Sequence, residues 1–172
     1  MRRWHRGTRE VPLESRAALV LFSPVLTNRL RTGFATGLIG GAATAGALVG
    51  LGLRHGAATV AFELGGRALL STWHLGGSGQ VVALVIGTLA HLLWMVLWGV
   101  CFSVVATQLR GITLAAGALL WVLFLGALAG TVVPGALGAV AFASLTSAQT
   151  AFFLALLAGA LIAGVVVTRS ER

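Results

Sequence analysis

The sequence predicts an all-α, polytopic membrane protein: four transmembrane helices joined by short loops. Three observations carry that expectation. Gly111 through Thr168 contains no charged residue, Gly33 to Leu53 is equally free of charge, and Val81 to Ala106 is interrupted by a single basic or acidic candidate, His91. Apolar runs of 18 or more residues span membranes as helices, because about 20 residues at 1.5 Å rise cover a hydrocarbon core of roughly 30 Å. Composition agrees. The chain is 58% hydrophobic and 9% charged with a mean hydropathy of +0.97, whereas a soluble domain has roughly a quarter of its residues charged. The 172 residues fit one four-helix unit, without room for a soluble domain of about 100 residues beside it.

Residues 1–32 read as a cytoplasmic, Arg-rich amino-terminal segment. Arg2, Arg3, Arg6, Arg9, Arg16, Arg29 and Arg31 all precede the first span. Within the segment, Ala17 to Leu26 is apolar, broken by Pro24 and too short to cross, which suits an interfacial stretch. Arg2-Arg3 matches the start of a twin-arginine signal, but the apolar block that follows is too long for a signal h-region, so the first helix is expected to stay uncleaved. The net charge of +8 is explained by topology and by anionic lipid, each juxtamembrane basic residue contributing about 1 kcal/mol, and not by a nucleic-acid partner.

The membrane domain, residues 33–168, is expected to hold spans at about 32–53, 81–107, 112–133 and 150–168, followed by a cytoplasmic tail at 169–172. Four spans put both termini on one side, with the seven early arginines, Arg110, Arg169 and Arg172. The other side holds Arg54 and Arg67. The positive-inside rule makes the Arg-rich side cytoplasmic. An all-arginine basic complement among abundant Gly and Ala points to a bacterial inner membrane. In the first outer loop, Ala57 to Leu70 predicts a short amphipathic helix on which Glu63 and Arg67 pair at i, i+4. The second outer loop opens with Pro134-Gly135, expected to stop the third span, and its Ala136 to Leu145 run suits a small outer or re-entrant helix. A faint echo of Leu30-Arg31 in Leu109-Arg110 is attributable to a Gly/Ala/Leu-rich composition.

Helix faces suggest packing. Gly33, Gly37, Gly41 and Ala45 recur every four residues, with Ala42, Gly46 and Gly50 as a second row, and Ala151, Ala155, Gly159 and Ala163 repeat the device in the last span. Lipid offers no hydrophobic drive between helices, so such rows serve close backbone approach. Spans two and three are thick instead: near mid-depth one carries His91, Trp94, Trp98 and Phe102 and the other carries Trp121 and Phe124. Tryptophan ordinarily favours the headgroup belts. These rings are expected to fill grooves beside the thin helices, within one chain or between copies.

His91 is the chief candidate for chemistry, since ionisable groups deep in a span are functional candidates by default. Trp94 at i+3 and Trp98 at i+7 share its nominal face, and indole faces stabilise a cation. The span supplies no carboxylate and no second histidine, so a neutral imidazole bonded to a backbone carbonyl or to Thr88 is the simpler expectation. Haem ligation would need His55 or His74 from the shallow outer loop. The hydroxyls Thr36, Thr44, Thr88, Ser103 and Thr131 are expected to bond to carbonyls of the preceding turn. Cys101, the single cysteine, excludes an internal disulfide and reads as a small buried hydrophobe. No cofactor or metal is expected.

Gly76-Gly77-Ser78-Gly79 resembles the Gly-x-Ser pattern of intramembrane rhomboid proteases. In those enzymes the serine and histidine sit on adjacent helices of a six-helix core, whereas Ser78 and His91 would stand about 20 Å apart along one helix. Ser78 is better read as a cap or turn, and no enzyme activity is expected. Taken together, the Gly/Ala-rich first span, the segment His91-Leu-Leu-Trp-Met-Val-Leu-Trp-Gly99 and the basic turn with Gly111 resemble small bacterial four-helix integral membrane proteins of unknown function. That likeness implies no activity and no site residues. The expected role is a structural or accessory subunit, or a homo-oligomer, acting by helix association in the lipid bilayer. The alternative is a small transporter or channel with a path along His91, Trp94 and Trp98.

Overall fold

Pro24 opens the first helix, where its fixed φ suits the first turn and its missing N–H costs nothing. The structure, a computed structural model, describes residues 24–54, 56–75, 77–137 and 146–170. They form α1 (Pro24–Arg54), α2 (Val60–Thr72), α3 (Gln80–Ala106), α4 (Gly111–Leu137) and α5 (Ser147–Ser170). All but α2 are long and apolar enough to cross a membrane, and no strand occurs among the described residues.

Several boundaries differ from expectation. α1 begins at Pro24, not near Thr32, so Asn28, Arg29 and Arg31 are helical and the residues from Pro24 to Leu26 belong to the helix. The rest of the interfacial stretch lies outside the described residues. Hydropathy marks where a helix meets lipid, not where its hydrogen bonding ends, which is why the polar turns were missed. For the same reason α5 runs on through Arg169, which the sequence assigns to a tail. α4 passes through Pro134 to Leu137, and residues 138–145 lie outside the described residues. At the start of α5, Thr146 and Gln149 bond reciprocally, Thr146 N–H to Gln149 Oε1 at 2.8 Å and Gln149 N–H to Thr146 Oγ1 at 3.3 Å. This is a capping box.

Glycine decides which helices touch. A Cβ added at Gly33 or Gly37 would lie 2.5 Å from the Cα of Val100 or Val96, and one at Gly99 would lie 2.5 Å from Gly37 Cα. α1 and α3 therefore run antiparallel with their backbones in contact, and Gly41 continues the seam against Leu92 and Met95. On its other side α1 meets α5, where Gly164 receives Thr36 and Gly40 receives Leu157. α4 closes the bundle on α5, with Gly126 against Leu154. The order 33 to 100, 36 to 164 and 40 to 157 places the start of α1 and the ends of α3 and α5 at one end of the bundle.

The row Ala155, Gly159 and Ala163 does not serve this packing. All three are exposed, nothing lies within 4 Å of a Cβ at Gly159, and α5 buries Leu157, Ala160, Leu161, Gly164 and Val165 instead. Gly46 and Gly50 are likewise open.

α2 exists as expected from the outer-loop pattern and is bound to α3. Cβ atoms at Gly66 and Gly87 would collide with the carbonyls of Ala83 and Phe62, so the two backbones touch there. Its C-terminus closes with Leu75 N–H to Leu70 O at 2.8 Å and His74 at φ 57°. A histidine thus takes the left-handed position that glycine ordinarily fills in such a motif. Glu63 does not pair with Arg67 as its spacing suggests; its Oε1 accepts from Thr59 Oγ1 at 2.6 Å. That bond, then Gln80, and last the field of Arg67 hold the Glu63 carboxyl below its usual range, against an opposing desolvation that outweighs the Arg67 field alone.

Substituting Gly37 with Leu should destabilise the bundle by about 1–3 kcal/mol or more, the cost of overpacking, while Gly46→Leu should stay within about 0.5 kcal/mol. Thermal or SDS-induced unfolding in detergent compares them. Because the folded carboxyl of Glu63 is more acidic than in the unfolded chain, its contribution is present above the unfolded range and lost as pH falls through the folded value. Hydrogen exchange in α2 should accelerate slightly in that acid window for wild type and not for Glu63→Gln.

Candidate functional site

His91 sits where α1, α2 and α3 meet. The Gly41 and Gly37 approach brings the α1 backbone close enough for the imidazole to reach across, and Nε2 lies 3.1 Å from Thr44 Oγ1 and 3.3 Å from Gly41 O. Thr44 spends its own proton on Gly40 O at 2.8 Å, and a carbonyl only accepts, so these partners assign the Nε2 proton as the shared donor. Phe62 of α2 meets the ring edge-on, centroids 5.6 Å apart. One histidine thereby ties three helices together.

The structure does not bring His91, Trp94 and Trp98 into one site. Trp98 turns to α4, stacking edge-on against Trp94 at 5.4 Å and Trp121 at 5.8 Å, and Trp121 in turn meets Phe102 at 6.0 Å and Phe124 at 5.9 Å. His91 turns the other way, to α1 and α2. Shared nominal phase on a helix leaves the side-chain direction free, and the neighbours on each flank pull these residues apart. The rings also do not fill grooves beside the thin helices: they fill the gap between α3 and α4, the two thick ones. Trp94 remains 40% exposed at the end of this ladder. Trp98 Nε1 and Trp121 Nε1 are buried without a hydrogen-bond partner among the described residues.

The embedded hydroxyls divide in the same way. Thr88 bonds to Leu84 O at 2.8 Å and Thr131 to Ala127 O at 2.9 Å, on their own preceding turns. Ser103 does so too, to Val100 O at 2.8 Å, and also reaches Arg29 O of α1 at 2.9 Å. Thr36 is fully buried against Gly164 and its Oγ1 has no hydrogen-bond partner among the described residues. Ser78 closes its turn on Leu75 O at 2.9 Å, and Gly79, not Ser78, occupies the N-cap of α3. Cys101 is a free, half-buried thiol.

Sequence reasoning missed Arg169. Its Nη1 donates to Leu109 O at 2.8 Å, and its Nη2 donates to Ala106 O at 2.7 Å and to Thr107 O at 3.3 Å. A cation on the last carbonyls of α3 meets the negative end of that helix dipole. The sequence signal was its position one turn beyond an apolar run, indistinguishable from a solvated tail.

Among the described residues no group of three or more His, Cys, Asp or Glu side chains converges as a metal site. In comparisons with protein families, with curated proteins and with solved structures, nothing matches this chain.

If Nε2 of His91 bonds across to α1 as a structural tie, a double-mutant cycle between Thr44→Val and His91→Ala should give a coupling of about 0.6 kcal/mol, the usual size of an interhelical hydrogen bond in a bilayer. Unfolding in bicelles reads it.

Proposed function

We propose that this chain is an integral membrane protein of the bacterial inner membrane that acts by helix–helix association, as a homo-oligomer or as a structural or accessory subunit. The observation that carries the reading is the open row on α5. Ala151, Ala155, Gly159 and Ala163 are all exposed, although the corresponding glycine row of α1 is covered by α3. Apart from a second open row at Ala42, Gly46 and Gly50 of α1, much of the outward surface is built of large apolar side chains, among them Leu89, Leu93, Leu120 and Val166. Those suit lipid tails; a four-residue row of small side chains instead leaves a groove that another helix backbone fills. The carbonyl and hydroxyl bonds of His91 favour a fixed tie over a conducting path, so the transporter reading has no observation of its own.

In this reading the arginine-rich end, with Arg29, Arg31, Arg110 and Arg169, faces the cytoplasm, and Arg54 and Arg67 face outward. α2 lies at the outward end, held against the first turns of α3.

The test is association in vesicles, followed by energy transfer between labelled copies or by co-purification of a stoichiometric partner. Gly159→Leu should lower association about tenfold, or about 1.4 kcal/mol, with the melting of the single chain unchanged. Equal association of wild type and variant would overturn the proposal.

A further inference from the structure

At the arginine-rich end, α1, α3 and α5 leave a cavity of about 60 Å³ lined by Thr32, Ser103, Ala106, Thr107, Val165 and Arg169. A single water needs only about 10–15 Å³ of such space, so the cavity has room for a polyatomic group. We propose that it binds the anionic phosphate group of a phosphate ester, with the headgroup of an anionic phospholipid as its source.

The chemistry begins with Arg169. A guanidinium has five N–H donors, of which the three carbonyl bonds occupy at most three, leaving at least two for a further acceptor. Those carbonyls hold the guanidinium in place from the side of α3. They neutralise part of its charge, since a helix end carries about half an elementary charge. Arg29, whose backbone carbonyl accepts from Ser103 of the cavity wall, and Arg110, next in sequence to Leu109, belong to the same end of the bundle. Of the chain's carboxylates, Glu63 lies at the opposite end of the bundle, and Glu10, Glu14 and Glu171 fall outside the described residues. The donors left over, on Nε and Nη1, lie on different edges of the guanidinium, so each offers a phosphate oxygen a single charge-assisted hydrogen bond and not a two-pronged one. Thr107 adds a hydroxyl whose present bond, to Val104 O at 3.2 Å, is long enough to exchange for a charged acceptor.

The lipid source rests on the membrane placement proposed above; the phosphate chemistry does not. A pocket between helices at the cytoplasmic headgroup level is where a bilayer presents phosphodiesters at high local concentration.

The full chain in neutral detergent is titrated with phosphatidylglycerol, phosphatidylcholine and inorganic phosphate, and thermal shift and native mass spectrometry report binding. Phosphatidylglycerol should raise the melting temperature of wild type and remain bound in the gas phase, and phosphatidylcholine should do neither. Arg169→Gln should weaken phosphatidylglycerol binding about tenfold. Arg169→Gln also removes a cap from α3, so Thr107→Leu, which narrows the cavity and leaves Arg169 in place, gives an independent reading and should weaken binding about threefold or more. A response to phosphatidylglycerol alone supports the lipid source. A response to inorganic phosphate as well supports the anion site while removing the need for a bilayer. Phosphatidylcholine binding as tightly as phosphatidylglycerol, or an unchanged affinity in Thr107→Leu, overturns the proposal.

Discussion

The contact of bare backbone between α1 and α3 is the constraint on which the remaining architecture depends. Gly33, Gly37 and Gly99 let the two main chains meet without side chains between them. In a bilayer, apolar side chains gain little by leaving lipid, so dispersion and polar bonds at short range must hold helices together. The close approach makes both available. It brings Gly41 O and Thr44 within reach of His91, and Arg29 O within reach of Ser103. Neither bond would survive an added methyl group at the crossing.

A contrast in thickness follows along the bundle. Where α1 meets α3 and α5, glycine and threonine keep the axes close. Where α3 faces α4, Trp98, Trp121, Phe102 and Phe124 occupy the space, and the helices interact through rings. Edge-to-face aromatic pairs contribute about 0.5–1.5 kcal/mol beyond burial, but an indole N–H with no acceptor costs about 1–3 kcal/mol. With Trp98 and Trp121 both in that position, the ladder fills volume with little net gain from its polar edges. The helix α4 is held from two unlike sides: rings toward α3, and close aliphatic packing of Leu114, Ala118 and Val122 within the core that includes Leu157 and Leu161.

Much of the fold was legible because hydropathy and glycine spacing are direct physical signals. Charge-free runs located all four long helices, and the row at Gly33, Gly37 and Gly41 located the face that meets α3. The row at Ala155, Gly159 and Ala163 carries the same pattern and faces outward. Small residues record that a close approach is allowed, not which neighbour makes it. Likewise the spacing of His91, Trp94 and Trp98 places them on one nominal face, yet the side chains divide between α1 and α4, since rotamers answer to neighbours that no local pattern names. Arg169 and the early turns of α1 were hidden for a different reason. They lie where apolar sequence ends but helical hydrogen bonding does not.

The α1 to α3 seam also has a consequence for synthesis. α1 ends at Arg54 and α3 at Ala106, so the groove that receives Gly33 and Gly37 is complete only after α2 and α3 have been made. At about 5–20 residues per second, a nascent α1 waits several seconds with its glycine face bare. Through that interval Gly33 and Gly37 have no partner backbone to pack against. A slowed ribosome between the two segments would lengthen the period in which α1 can pair wrongly or be degraded.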